Sequence, residues 1–384
     1  MSTIRFQQVN VPAGVIDLGV GQPQNALLPH EHFRRAAERQ FAGAGSEHLQ
    51  YGAEWGDGHL RLALAAYLTG AYGCPVDPAH LFVTNGNSQA LDQICTMLAA
   101  PGDVVVVEEP TYFHALTILR DHGLEVIGVP VDGDGLDVDA LAVALDAQTG
   151  RGRRVAFVYT IPTYQNPTGT TMTTARRDLL VDVCRERGVL VVADEVYHLL
   201  AYGDPPPPPL SAYVGRGPVV SLGTFSKILA PGVRLGWAHG APDLLGRLAG
   251  SGLVDSGGGL NPIPGALVTT ILEEGWQAEI LDGLRSTYSS RVATMATALR
   301  THLPAEVGYE VPEGGYFFWL TLPDGVSAEE LRARAVVHGV DGRHGALFSC
   351  RGGLADRLRL SFAYYDEADI EDGIARLGRA FAQM

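Results

Sequence analysis

Lysine is almost missing from this chain: of 28 lysines and arginines in 384 residues, Lys227 is the only lysine. Wherever a solvated cation suffices, the sequence uses arginine. The one ε-amine therefore points to a task that guanidinium cannot perform, since arginine stays protonated whereas a lysine can lose its proton and add to a carbonyl. The competing reading is compositional drift that left one surface lysine. Cysteine is scarce too. Cys74, Cys95, Cys184 and Cys350 show no Cys-x-x-Cys spacing, which argues against a disulfide framework or a metal site and fits free thiols in a reducing cytoplasm. No run approaches the ~18 apolar residues of a membrane span. The start, Met1 to Gln8, has no apolar core of a signal peptide, so nothing directs export. Positive charge is in deficit, with a net charge of -15 and a pI near 5.2. That balance repels phosphodiester backbones and anionic lipid, excludes nucleic-acid and membrane partners, and leaves small molecules. Internal repeats are absent. The only low-complexity stretch is 205–209, five prolines that read as a stiff connector, and the glycines at 257–259 lack the lysine of a phosphate loop.

What the chain does hold is apolar residues, 46% of it, enough for a sizeable core and for a large body with a smaller lobe. Valine-rich runs at 104–107, 155–160, 189–193 and 219–222 alternate with helical patterns. Such runs predict a mainly parallel sheet buried on both faces. Ala90, Leu91, Ile94, Met97 and Leu98 recur at helical spacing, from a start at Asn87-Ser88 to a stop at 101–103. Beyond 280 the pattern changes to a long helix over 281–303, a strand over 316–322, a helix over 328–338, a strand over 358–363 and a last helix from Glu367. This predicts a small α+β lobe.

Several polar groups fall at the ends of these strands. Asp194 follows the run at 189–193 directly, at the carboxyl edge where open α/β sheets bind ligands. Its alternative role is a helix cap. Tyr197 adds a phenol three residues on. Asn166, in Asn166-Pro-Thr-Gly169, offers an amide near the same edge, although such a sequence is often only a turn. Asn87 and Ser88 open a helix whose free N–H groups suit a phosphate, or serve as a plain N-cap. Thr224, Ser226 and Arg234 surround Lys227 with two hydroxyls and a fixed charge. Tyr112 is an aromatic face or a core residue. Arg359 alternates with apolar residues on a strand, so an inward guanidinium expects a carboxylate. Together the groups ask for a phosphate, a stacking ring, a basic ring nitrogen, an anionic oxygen and an aldehyde. Pyridoxal 5'-phosphate has all five.

The chain resembles the fold-type I pyridoxal-phosphate enzymes of the class I/II aminotransferases, the 2-aminoadipate and kynurenine type in particular. The likeness rests on Tyr51 with Gly56 and Leu60-Arg61, Asn87-Ser88-Gln89, Glu109-Pro-Thr-Tyr112, Asn166-Pro-Thr-Gly169, Asp194-Glu-Val-Tyr197, Ser226-Lys227 with Arg234, and Arg359-Leu-Ser-Phe362. It implies an aspartate aminotransferase-like α/β fold: a large domain (46–280) with a mainly parallel seven-stranded sheet between helices, and a smaller α+β domain (1–45 with 281–384). It implies that Lys227 attaches the cofactor and then shuttles a proton. Asp194 would pair with the ring nitrogen, Asn166 and Tyr197 with the phenolic oxygen, and Tyr112 with the ring face. Asn87, Ser88, Thr224, Ser226 and Arg234 would hold the phosphate. Tyr51 would join them from a neighbouring subunit of a homodimer. Arg359 would clamp the substrate α-carboxylate, with Gly21 and Asn166 beside it.

Two departures stand out. Asn87-Ser88 replaces the family's frequent Ser-Gln, and 341–348, with Arg343 and His344, lacks the relatives' Pro-Gly turn. The second alters the substrate side-chain pocket or the reaction outcome, or is only a retuned exposed turn. The resemblance implies transfer of an amino group from an L-amino acid to a 2-oxo acid. A lyase or carbon–carbon bond-forming enzyme of natural-product biosynthesis would need the same residues. A transcription regulator using such a domain as a sensor would carry a basic winged-helix segment ahead of it, and this acidic chain enters the domain almost at once.

Overall fold

The computed structural model describes residues 8–42, 46 and 49–384. Residues 1–7 of the amino terminus read above, and residue 45 at the expected domain boundary, lie outside that description. Strand β1 (Ile16–Asp17) comes first. A central sheet follows from β2 (Leu81–Thr84), β3 (Val104–Glu109), β4 (Glu125–Asp132), β5 (Gly135–Leu136), β6 (Val155–Thr160), β7 (Leu190–Asp194), β8 (Val219–Thr224) and β9 (Gly236–Gly240). The C-terminal region adds β10 (Phe317–Thr321), β11 (Val340–Asp341), β12 (Arg343–His344) and β13 (Arg357–Ser361).

The large sheet runs β2-β9-β8-β7-β6-β3-β4-β5. Its middle, from β8 to β4, is parallel, and β9 is antiparallel to both its neighbours. The sheet thus has eight strands where seven were expected. The extra one is the two-residue β5, which turns back on β4 through Asp132↔Gly135.

Side-chain alternation explains why the middle strands are apolar throughout. On β3, Val105 and Val107 enter one core while Val104 and Val106 enter the core on the opposite face. On β7, Val192 goes to the first and Val191 and Ala193 to the second. With helices on both faces, neither set can be polar. Strand β9 has no such run. Its Trp237 ring lies over Gly223 of β8, where a Cβ would stand 2.1 Å from the indole, so a glycine on one strand makes the place for a tryptophan on the next.

The smaller lobe is built on the antiparallel sheet β10-β13-β12 and the parallel pair β1-β11. The helix Trp276–His302 runs without a break through the expected division at 280/281. The N-terminal segment divides. Ile16 pairs with Val340, and Leu18 accepts a hydrogen bond from the Ser361 amide. The helix His30–Ala42 turns the other way: Gln40 donates to the Ala266 carbonyl (3.1 Å) and to Thr270 Oγ1 (2.8 Å) on the helix Pro262–Glu273. Among the described residues no helix is long and apolar enough to cross a membrane, and no cluster of three His, Cys, Asp or Glu could hold a metal ion. All four cysteines are free.

Candidate active site

Three adjacent parallel strands end together. At their carboxyl edge β6 brings Tyr159, β7 brings Asp194 and β8 brings Thr224, and the turn after β8 carries Ser226 and Lys227. A cavity of about 960 Å³ opens there. It gathers Lys227, Asp194, Tyr197, Asn87, Ser88, Tyr112, Asn166, Thr224, Ser226, Arg234, Arg359 and Gly21 from positions up to 338 residues apart in sequence. Tyr51 is not among its walls and is 80% exposed.

Asp194 is buried, and burial raises its carboxyl pKa; Tyr159 and Asn87 oppose that shift by donating to it, and the nearby Lys227 charge opposes it too. Tyr159 Oη donates to Oδ2 at 2.8 Å and Asn87 Nδ2 to Oδ1 at 2.5 Å. The Val196 amide donates to Asp194 as well, and because a carboxylate has about four lone-pair directions, three donors leave one open. Asn87 was expected at the phosphate. Its side chain instead serves Asp194 and the Leu222 carbonyl (3.2 Å), which leaves only its main chain at the helix start.

Lys227 is half-buried and donates to the Gly21 carbonyl at 2.7 Å. Burial is the main cause that lowers its pKa from 10.5 to about 8; the Arg359 and Arg234 charges push the same way and Asp194 pushes back. Arg359 lies within the smaller lobe's sheet. Its Nη1 donates to Asn166 Oδ1 (2.9 Å) and its Nη2 to the Gly19 carbonyl (2.9 Å). The rings of Phe317 and Phe348 stand 3.9 and 4.9 Å from its guanidinium carbon. Burial lowers its pKa to about 10. Its Nε is buried without an acceptor, and among the described residues no carboxylate stands within ion-pair distance. A buried cation so placed calls for an anion. Because guanidinium only donates, it fixes the Asn166 oxygen toward itself and turns the amide nitrogen to the cavity.

The opposite end collects donors. The helix Asn87–Leu98 starts after Gly86 with no side-chain cap, unlike the helices capped by Asp57, Asp137 and Thr173, so its first-turn amides keep no internal acceptor. Gly86 (φ +79°) is needed there: a Cβ would stand 2.6 Å from Arg234 Nη2. Arg234 itself reaches the Asn85 carbonyl (3.1 Å) and Ser226 Oγ (3.4 Å). Thr224 Oγ1 donates to Ser226 Oγ at 3.0 Å. Tyr112 lines the wall, its phenol pushed up to about 12 by burial, and the Tyr197 phenol is raised further for the same reason. Pyridoxal phosphate fits this set. Amides, hydroxyls and Arg234 suit the phosphate, the open direction on Asp194 suits a protonated ring nitrogen, and the lysine suits the aldehyde.

Sequence reading missed three contributors. Tyr159 looks like one more core residue of β6, and its hydroxyl gives no signal in a one-dimensional pattern. Gly19 acts through its carbonyl alone. Phe317 flanks Arg359 only because β10 pairs with β13, which places Trp319 opposite Arg359 and Phe317 opposite Ser361. Arg343 and His344 form half-buried β12 rather than an exposed turn; Arg343 lines the cavity, and His344, its pKa lowered by burial, does not.

Comparison with known proteins agrees with this geometry. The family model described as Aminotransferase class I and II matches residues 13–377. The chain is 34% identical over 370 residues to Aromatic-amino-acid aminotransferase 1 of Thermococcus litoralis, covering 96% of this chain and 88% of that one. Its structure is similar to that of Pyrococcus horikoshii kynurenine aminotransferase in complex with PMP, with a TM-score of 0.91 and 34% identity over 97% of this chain and 91% of that one. It is likewise similar to LysN, the α-aminoadipate aminotransferase of Thermus thermophilus complexed with N-(5'-phosphopyridoxyl)-L-leucine, with a TM-score of 0.85 and 34% identity over 97% and 93% of the two chains.

Proposed function

This chain belongs to the class I and II aminotransferase family, and from that premise we propose how its own residues serve the reaction. It is a pyridoxal-phosphate-dependent enzyme that transfers an amino group from an amino acid to a 2-oxo acid. When bound, the cofactor supplies an aldehyde that takes up the amine and a cationic ring that draws electrons from the substrate Cα.

Lys227 would hold the cofactor at its aldehyde, and its ε-amine would carry the proton to and from the substrate Cα. A lysine with a pKa near 8 serves both roles, because it is neutral often enough to attack and basic enough to hold a proton. Asp194 keeps the ring nitrogen protonated, with Asn87 and Tyr159 fixing the carboxylate. The Asn166 amide and the Tyr197 hydroxyl donate to the phenolic oxygen, and Tyr112 covers the ring. The first-turn amides of Asn87 and Ser88, the hydroxyls of Thr224 and Ser226, and Arg234 bind the phosphate. Arg359 holds the α-carboxylate, with Gly21 and Asn166 beside it.

The protein works as a homodimer in the cytoplasm, with Tyr51 of one copy completing the phosphate site of the other. Its exposure supports this, as do the exposed Leu49, Leu253 and Ile263. Residues 46–280 act as the cofactor domain and 281–384 as the smaller one, which the strand Ile16–Asp17 joins while the helix His30–Ala42 packs on the cofactor domain. One observation carries the reading: the sole lysine of the chain shares a cavity with a buried carboxylate and with a buried guanidinium that lacks an anion. Isotopically labelled amino donors test it. Labelled nitrogen should appear in the amino acid formed from an added 2-oxo acid; label released as ammonia, with pyruvate or 2-oxobutyrate formed from the donor, would instead establish a lyase.

A further inference from the structure

Residues 17–21 pass over two of the basic groups of the site. The Gly19 carbonyl accepts from Arg359 Nη2 at 2.9 Å, and the Gly21 carbonyl accepts from Lys227 Nζ at 2.7 Å. One short stretch of backbone thus orients both the proposed carboxylate clamp and the proposed cofactor lysine. Where that stretch lies is decided at Asp17. Its carboxylate accepts from Arg343 through both oxygens, Nη1 to Oδ1 at 3.0 Å and Nη2 to Oδ2 at 2.9 Å, and Oδ1 also takes the Gly19 amide at 2.9 Å. The Arg343 side chain lies close against Gly19, where a Cβ would stand 2.4 Å from Nη1.

Arg343 is in turn set by strand register. It pairs with Arg359 across β12 and β13, so the two guanidinium groups grip the stretch two residues apart, one at Asp17 and one at Gly19. Asp17 pairs with Asp341 across β1 and β11, and Arg332 engages Asp341 at 2.6 and 2.9 Å. Two arginines and two aspartates cancel. With both Asp17 oxygens on its donors, Arg343 carries no unpaired charge for a distal carboxylate of a ligand.

We propose that Arg343, acting through Asp17, is a positioning residue that pins residues 17–21 over Arg359 and so sets the affinity of the site for the α-carboxylate common to all its substrates, without choosing among their side chains. This rests on Arg359 being the carboxylate clamp. With the pin removed, the Gly19 carbonyl no longer holds Arg359 in its docking orientation.

Calorimetric titration of the cofactor-loaded protein with two unreactive carboxylates, 3-phenylpropionate and glutarate, tests the proposal. Asp17→Asn and Arg343→Ala should each weaken both ligands by about tenfold, the size of one charge-assisted contact, and the double variant should be no worse than either single one. In turnover, KM for donor and acceptor should rise together while kcat stays within about twofold. Should Arg343→Ala fail to fold, Arg343→Lys and the near-isosteric Asp17→Asn carry the test. Loss confined to glutarate, additive losses, or unchanged affinity would each overturn the proposal. Arg359→Leu separates the two levels. If it binds both ligands normally, the clamp assignment falls and this inference with it; if it loses both while the Asp17 and Arg343 variants do not, the inference alone falls.

Discussion

Lys227 shows how position alters a residue's chemistry. At pH 7 a lysine with a pKa near 8 is neutral in roughly one molecule in ten, against about one in three thousand for an ordinary lysine. The rate at which cofactor-free protein captures pyridoxal phosphate, followed by absorbance, should therefore climb with pH and level off above about 8. Arg359→Leu should move that midpoint upward, because a cation that disfavours the ammonium is gone. A rate that keeps climbing toward 10.5 in the unaltered protein would contradict this. Between pH 8 and 10.5 the unfolded chain holds the proton and the fold does not, so this group's contribution to the stability of the cofactor-free protein rises with pH across that window. The value of Lys227 was legible because it is the only lysine. The value of Asn87 was legible only in part: sequence places it at a helix start, but which way an amide points depends on Asp194, 107 residues away, and no local pattern carries that.

At the scale of elements, the connector at 205–209 is the instructive case. Prolines bring no N–H groups, so the segment can dock only through its carbonyls and its flanks. Arg177, fully buried on the helix Thr174–Glu186, donates to the Pro208 carbonyl at 3.1 Å, to Pro162 at 2.9 Å and to Met172 at 3.0 Å. Glu195 lies 3.6 Å from it, accepts the Leu210 amide at 2.7 Å and is bonded by Ser221. That pair fastens the connector beneath the strand end that presents Asp194. Glu195→Ala would leave a buried guanidinium without its counter-charge and should cost about 3–5 kcal/mol in urea unfolding. A loss below 1 kcal/mol would show that the pair is unimportant to the fold. Sequence showed the stiff connector but not its anchor, since Arg177 reads as one more helical arginine. The strands β3, β6, β7 and β8 were legible from their valines, because a strand covered on both faces has no polar position to blur the run. Strand β9 was not, because Gly236-Trp-Ala-His-Gly240 is a strand by virtue of its neighbours.

The whole molecule converts these local choices into one site. A parallel sheet brings Tyr159, Asp194 and Thr224 to a common edge, a smaller lobe lowers Arg359 toward it, and the N-terminal stretch ties both to Lys227. Composition simplifies the decisive test, because a chain with a single ε-amine can carry a reducible cofactor adduct on only one lysine. Mass spectrometry of the borohydride-reduced, cofactor-loaded protein should find one phosphopyridoxyl group per chain, mapped to the peptide containing Lys227, and none in Lys227→Arg. An adduct that persists in that variant, or an unaltered chain that takes up no cofactor, would contradict the account.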